Sequence, residues 1–222
     1  RPISKGITYT RVGNVITFTL SSPSNISVEP GSIIDAPPLL LFANPLEVNP
    51  PTPATPGVVY YGPGYYNVGL ITLNSDQTLY IAGGAVVTGH IRARGNNIKI
   101  RGRGILDGLG TAADPAGVAG SATSDIPVLF MIGCTNCLVE GIVLKDSEAW
   151  TLVIQDSSYV LADNVKIISA VGPVWHDGID INISDHVTIQ DSFVLTDDDT
   201  LQIGGLTYDR ASGYPPTDTI AV

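Results

Sequence analysis

Charge is scarce in this 222-residue chain. Asp, Glu, Lys and Arg make up 14% of it, against roughly 25% in an ordinary soluble domain. Hydrophobic residues reach 44%, which excludes a disordered chain. The 24 glycines and 16 prolines exclude a coiled coil or a helical bundle, whose interiors tolerate neither residue well. Basic charge is scarcer still: 11 Lys and Arg face 21 Asp and Glu, for a net charge of −10. The clustered cations that bind nucleic acid or an anionic membrane surface are therefore missing, and neither partner is expected. No apolar run approaches the roughly 18 residues of a membrane helix. The longest, such as Pro37 to Ala43, are strand-sized. Cysteine is limited to Cys134 and Cys137, in C-T-N-C. No second ligand pair has the spacing to complete a metal site, so no metal and no cofactor is expected. The two cysteines read as small core residues at a turn, with a local disulfide as the open alternative. Because it begins at Arg1 rather than Met, the chain reads as a processed or excised product.

What is present is strand and turn. Val, Ile and Thr between tight turns indicate an all-β protein. Short strands are expected at Val15 to Leu20, Ile26 to Val28 and Leu39 to Phe42, separated by Ser22-Pro23-Ser24-Asn25 and Pro30-Gly31-Ser32. A Pro-rich crossing follows, from Pro45 to Pro56. The expected organisation is a small N-terminal β-sandwich or β-cap with its linker over residues 1–57, then a second domain over 58–222.

That second domain is repetitive. Asn136-Cys137-Leu138-Val139-Glu140-Gly141-Ile142-Val143-Leu144, Ser158-Tyr159-Val160-Leu161-Ala162-Asp163-Asn164-Val165-Lys166-Ile167 and Asp185-His186-Val187-Thr188-Ile189-Gln190-Asp191-Ser192-Phe193-Val194-Leu195 resemble one another, with an earlier copy from Asn97 to Leu106. Leu138 to Val160 is a step of 22 residues, and Val160 to Val187 a step of 27. A second strand follows each late copy: Trp150 to Ile154, Gly178 to Ile183, Thr200 to Ile203. Repeats of this length made only of strands and turns predict a solenoid, a parallel β-helix whose equivalent residues lie about 4.8 Å apart on neighbouring rungs. A β-sandwich would not repeat the two-strand unit in the same order. Gly110 to Asp125 breaks the period and reads as a long surface loop of the kind that walls a binding groove.

Carboxylates mark the candidate site. Trp175-His176-Asp177-Gly178-Ile179-Asp180 precedes Thr196-Asp197-Asp198-Asp199-Thr200, with Asp177 lying 21 residues before Asp198 and 22 before Asp199. One coil of that length stacks the acids on adjacent rungs. Like charges held so close make one carboxyl retain a proton near neutral pH. A protonated and an ionised carboxyl together are what glycoside hydrolysis requires. Strict alternation from inward Ile179 and Ile181 would turn Asp177 inward too, so a bend at Gly178 must re-aim it.

These motifs resemble the polygalacturonases, glycoside hydrolase family 28, within the pectin-lyase-like group of right-handed parallel β-helices. That family carries N-T-D-G-x-D and, one coil later, a D-D pair. Here they stand as Trp175-His176-Asp177-Gly178-Ile179-Asp180 and Asp198-Asp199, while Ser147-Glu148-Ala149-Trp150-Thr151-Leu152 is similar to the family's S-P-x-W-x-L. Tyr61-Gly62-Pro63-Gly64 and Thr78 to Ala85 look more like the dextranase and isopullulanase branch. The resemblance implies an inverting hydrolase with Asp198 as general acid and with Asp177 and Asp199 activating water. It also implies substrate contacts from His176, Trp175, Asp180 and Gln202, a polysaccharide partner, and a secreted protein. Two departures stand out. Trp175 and His176 replace the family's Asn and Thr. The family's G-H-G and R-x-K are absent, and with R-x-K go the basic residues that hold a uronate. Arg92, Arg94, Arg101 and Arg103 lie several coils earlier and read as outward, solvated strand residues. A neutral glucan or galactan therefore stays an alternative to pectin. Two other readings remain: a calcium-dependent lyase, and a non-catalytic glycan-binding β-helix. Thr219 to Val222 reads as the first strand of an uncompleted coil, so the last sheet edge belongs to a fragment or is covered by a partner.

Overall fold

A computed structural model of the chain describes residues 2–29, 37–108, 127–147, 150–169, 176–204 and 218–221. The chain divides into two compact units, 1–48 and 49–222. Among the described residues there is no α-helix, only a 3-10 turn at Ile3–Lys5.

The first unit holds two antiparallel hairpins. Strand β1 (Tyr9–Val12) pairs with β2 (Val15–Phe18), and β3 (Ser24–Val28) pairs with β4 (Leu39–Ala43). The β1 strand was not legible in the apolar pattern, because all four of its residues are exposed. Its signal is the Gly13-Asn14 dipeptide. Val12 pairs with Val15 across these two residues, and Gly13 takes φ +59°, the left-handed geometry that a tight hairpin needs.

The second unit winds as a solenoid. Its strands, in order, are β5 (Val58–Tyr61), β6 (Gly64–Leu73), β7 (Thr78–Ile81), β8 (Ala85–Asn96), β9 (Lys99–Gly102), β10 (Ile105–Asp107), β11 (Leu129–Glu140), β12 (Val143–Lys145), β13 (Leu152–Gln155), β14 (Ser158–Asp163), β15 (Lys166–Ser169), β16 (Ile179–Asn182), β17 (Asp185–Gln190), β18 (Phe193–Thr196), β19 (Leu201–Gly204) and β20 (Asp218–Ala221). Every pairing among them is parallel, as a right-handed β-helix requires. Three sheets result. Sheet 1 stacks β5, β7, β9, the end of β11, β14, β17 and β20. Sheet 2 stacks the starts of β6 and β8 with β10, β12, β15 and β18. Sheet 3 stacks the ends of β6 and β8, the start of β11, then β13, β16 and β19.

The core is a set of aliphatic columns running through these sheets. Ile91, Leu129, Leu152 and Ile179 follow one another in sheet 3, each at most 2% exposed. Leu106, Leu144 and Ile167 do the same in sheet 2, and Ile100, Val139 and Ala162 in sheet 1, all fully buried. Burial of each large aliphatic side chain contributes about 1.5–3 kcal/mol. Cys134 and Cys137 are buried free thiols at the corner where β11 passes from sheet 3 to sheet 1, packed with this core.

One expected register needs correction. Val160 does pair with Val187, a step of 27 residues, but Leu138 pairs with Leu161, and Val160 with Cys137. The step is 23, not 22. Cys137 and Val139 face the core while Leu138 does not, and a one-residue slip would have turned the whole strand inside out. The segment Gly110 to Asp125, read as a groove-walling loop, lies outside the described residues.

Candidate active site

Alternation in β16 puts Ile179 and Ile181 into the core and turns Asp180 and Asn182 to the outer face of sheet 3. The rung ladder then fixes their neighbours. One row on that outer face runs Thr72, Arg92, Phe130, Val153, Asp180, Gln202, each residue paired with the next.

Just before β16 the chain bends at Gly178. Its N–H donates to the Asp199 carbonyl at 2.8 Å, and the Thr151 N–H donates to the Asp177 carbonyl at 3.0 Å. The next rung pairs Ile179 with Leu201, a step of 22 residues, so Asp177 is level with Asp199. A Cβ at position 178 would lie 2.5 Å from both the Thr200 carbonyl oxygen and a Val194 methyl. Only glycine lets the two rungs close this tightly.

The bend re-aims Asp177 as the alternation argument demanded. Its carboxyl hydrogen-bonds to Asp180 and accepts from the Trp150 indole. Asp177 is 7% exposed and Asp180 4%. Burial raises the Asp177 pKa, and the Asp198 and Asp199 charges raise it further. Burial, followed by the Asp177 charge, pushes Asp180 up to about 8. Burial and the adjoining Asp177 charge thus favour the protonated form of Asp180, which hydrogen-bonds to Asp177. Its Oδ2 is buried with no hydrogen-bond partner among the described residues, as are Gln202 Oε1 beside it and Gln155 Oε1 one rung before. Such unmatched polar atoms on one face mark where a ligand or water must supply the missing bonds.

Asp198 and Asp199 are exposed. Asp198 is held by its own turn: the Asp199 N–H donates to Asp198 Oδ1 at 3.0 Å, and the Thr196 hydroxyl donates to the Asp198 carbonyl at 3.1 Å. The chain thus brings together two buried and two exposed carboxyl groups. No three His, Cys, Asp or Glu residues among those described could hold a metal ion.

Of the expected substrate contacts, Asp180 and Gln202 share this face. His176 is nearly buried and turned toward Asp197, its Nδ1 3.0 Å from Asp197 Oδ1. Trp175 lies outside the described residues. Trp150 and Asp197 were not assigned to the site by sequence reasoning. The signal for Asp197 was its 21-residue offset from His176, and the signal for Trp150 was its place in the Ser147 to Leu152 coil.

Comparison with known proteins bears on this constellation. The family model for glycosyl hydrolases family 28 matches residues 76–208. A polygalacturonase from Prunus persica is 30% identical over 167 residues, covering 67% of this chain and 42% of the relative. Polygalacturonase QRT2 from Arabidopsis thaliana is 30% identical over 125 residues, 53% of this chain and 28% of the relative. The chain thus spans less than half the length of either. A solved structure of a family 28 exopolygalacturonase from Yersinia enterocolitica shares the fold, with a TM-score of 0.58 at 18% identity over 76% of this chain and 43% of that one.

Proposed function

The chain belongs to glycosyl hydrolases family 28, and from that membership we propose that it hydrolyses a polygalacturonan-type polysaccharide with inversion at the anomeric carbon. The observation that carries the reading is the one-rung register that sets Asp177 level with Asp199 and lets the Asp198 and Asp199 charges act on the buried Asp177–Asp180 pair. Asp198, exposed on its turn, donates a proton to the departing glycosidic oxygen. Asp177 and Asp199 orient the attacking water and take its proton on the opposite face of the sugar. Inversion requires room for that water, with acid and base about 6.5–9.5 Å apart. Asp180 keeps Asp177 in place and spreads its charge through their shared proton. Gln202 offers its amide to a sugar hydroxyl, His176 shapes the approach beside Asp177, and Trp175 is assigned to substrate contact from the motif alone. A polymeric substrate of this kind is met outside the cell, so a secreted protein follows from the reading.

The test is reducing-end release from polygalacturonate, dextran, pullulan and galactan, by the parent and by Asp198→Asn. Release from polygalacturonate that the substitution abolishes is the expected result. No release, or release that survives the substitution, overturns the reading.

A further inference from the structure

The turn that leads from sheet 3 into sheet 1 carries a column of left-handed residues. Asp76, Asn97, Asn136, Tyr159 and His186 take φ of +64°, +57°, +55°, +54° and +48°. The flanking register makes them successive rungs: Thr78 pairs with Lys99, Lys99 with Leu138, Thr135 with Ser158 and Ser158 with Asp185. All five are exposed. Asp and Asn enter this conformation readily, because their short polar side chains bond locally. Asn97 Nδ2 donates to Asp76 Oδ1 at 2.9 Å. Tyr159 departs from that solution. A bulky ring at positive φ is an outlier, and strain of this kind gathers at ligand clamps. The Tyr159 side chain is 55% exposed, so burial does not offset the strain. Its ring stacks on that of His186, with centroids 4.5 Å apart and 26° between the planes.

We propose that the Tyr159–His186 stack is a platform that binds a neutral pyranose unit of a polysaccharide, on the turn into sheet 1 and outside the row that carries Asp180. The proposal goes beyond the hydrolase reading and takes from it only the class of partner. The Tyr159 face opposite His186 looks toward the rung of Asn136, whose side chain is too short to cover a phenol ring. Rungs lie about 4.8 Å apart, close to the separation of stacked rings. A pyranose on that face therefore stands where a ring at position 136 would stand. Its C–H groups meet the negative face of the phenol ring. Its hydroxyls meet the amides of Asn136 and Asn97, a side chain that both donates and accepts. Charge selects against a uronate here. Asp76 stands in the column, Asp185 Oδ2 lies 3.4 Å from His186 Nδ1, and the chain carries a net charge of −10. Carboxylates repel an anionic sugar but accept hydrogen bonds from a neutral one.

The experiment is titration calorimetry on the full chain in an Asp198→Asn background, so that the ligand survives, with β-1,4-linked galactohexaose and hexagalacturonate as probes. Tyr159→Asn puts into the column the residue type that the two preceding rungs carry. It is expected to weaken galactohexaose binding about tenfold, while the melting temperature stays at or above that of the background protein. Tyr159→Phe keeps the ring face and retains the binding, and His186→Asn weakens it in the same direction as Tyr159→Asn. Galactohexaose binding that survives Tyr159→Asn, no galactohexaose binding by the background protein, or a melting temperature that drops in Tyr159→Asn overturns the platform. Tighter binding of hexagalacturonate that Tyr159→Asn removes overturns its preference for a neutral sugar. Calorimetry reads binding and not cleavage. If Tyr159-dependent binding is present but the parent releases no reducing ends from polygalacturonate, the hydrolase reading fails and the platform stands.

Discussion

Two buried ionisable side chains in the solenoid look alike by burial and charge, yet serve opposite ends. Lys166, at the corner between sheets 1 and 2, is fully buried, and its pKa falls to about 8 through burial and the nearby Arg103 charge. Asp180, on the outer face of sheet 3, is pushed up to about 8 by burial and the Asp177 charge. The difference lies in their bonds. The Lys166 ammonium reaches the Asn164 carbonyl and Oδ1 at 2.7 Å each and the Gly141 carbonyl at 3.4 Å, acceptors for all three of its protons. It clips two turns together. Asp180 has an oxygen with no partner among the described residues and shares its proton with a neighbouring acid. A shifted pKa alone therefore does not mark a functional site; a shifted pKa beside unmet hydrogen-bonding capacity does.

The largest expected effect breaks the acidic side. Asp198→Asn, Asp177→Asn and Asp199→Asn should each lower polygalacturonate hydrolysis by about 10²–10⁴-fold or more while circular dichroism stays that of the parent. Lys166→Met should leave turnover per folded molecule unchanged. On the stability side the order reverses. Gly178→Ala, which drives a Cβ against the Thr200 carbonyl, and Lys166→Met, which orphans the carbonyls of Gly141 and Asn164, should each cost about 2–4 kcal/mol in denaturant unfolding. Asp180→Asn should cost far less, since it removes a buried acid that ionises at a penalty.

A pH series sharpens the contrast further. Asp180 ionises near 3.8 when unfolded and at about 8 when folded. The folded state thus holds the extra proton over that range, and stability falls as pH rises from 4 to 8. Lys166 titrates near 10.5 unfolded and at about 8 folded. There the unfolded state holds the extra proton, and stability recovers as pH rises from 8 to 10.5. Urea unfolding at fixed pH steps should show the first limb flattened in Asp180→Asn and the second in Lys166→Met. The smallest effect is expected from Asp197→Asn. It leaves His176 in place but removes the charge at 3.0 Å, and should lower activity severalfold through the set of the Asp177 turn, measured as kcat with KM nearly constant.

How much of this was legible in the residues follows from what each inference needed. The solenoid needed only recurrence, and Val160 and Val187 recur in true register. The acidic cluster needed one coil length, and the 22 residues from Asp177 to Asp199 match the step from Ile179 to Leu201. The proton on Asp180 was not legible, because it depends on how deeply the outer face is covered, and desolvation is a property of packing rather than spacing. The pairing of His176 with Asp197 was legible only as a 21-residue offset. It crosses between two bends, and a bend's direction is not written in alternation. Arg92 and Arg94 were legible only in part. The alternation of Ile91, Arg92, Ala93 and Arg94 shows that both arginines point outward. However, β8 turns from sheet 2 into sheet 3 part-way along its length, and only coordinates show that its second half shares a face with Asp180.

The most direct test is carbon-detected NMR titration of the aspartate side-chain carboxyls between pH 3 and 9. One resonance that stays protonated until close to pH 8 and disappears in Asp180→Asn is the expected result. A spectrum in which every aspartate is ionised by pH 6 would contradict the shared proton, and with it the acidic centre that the stacked rungs are held to build.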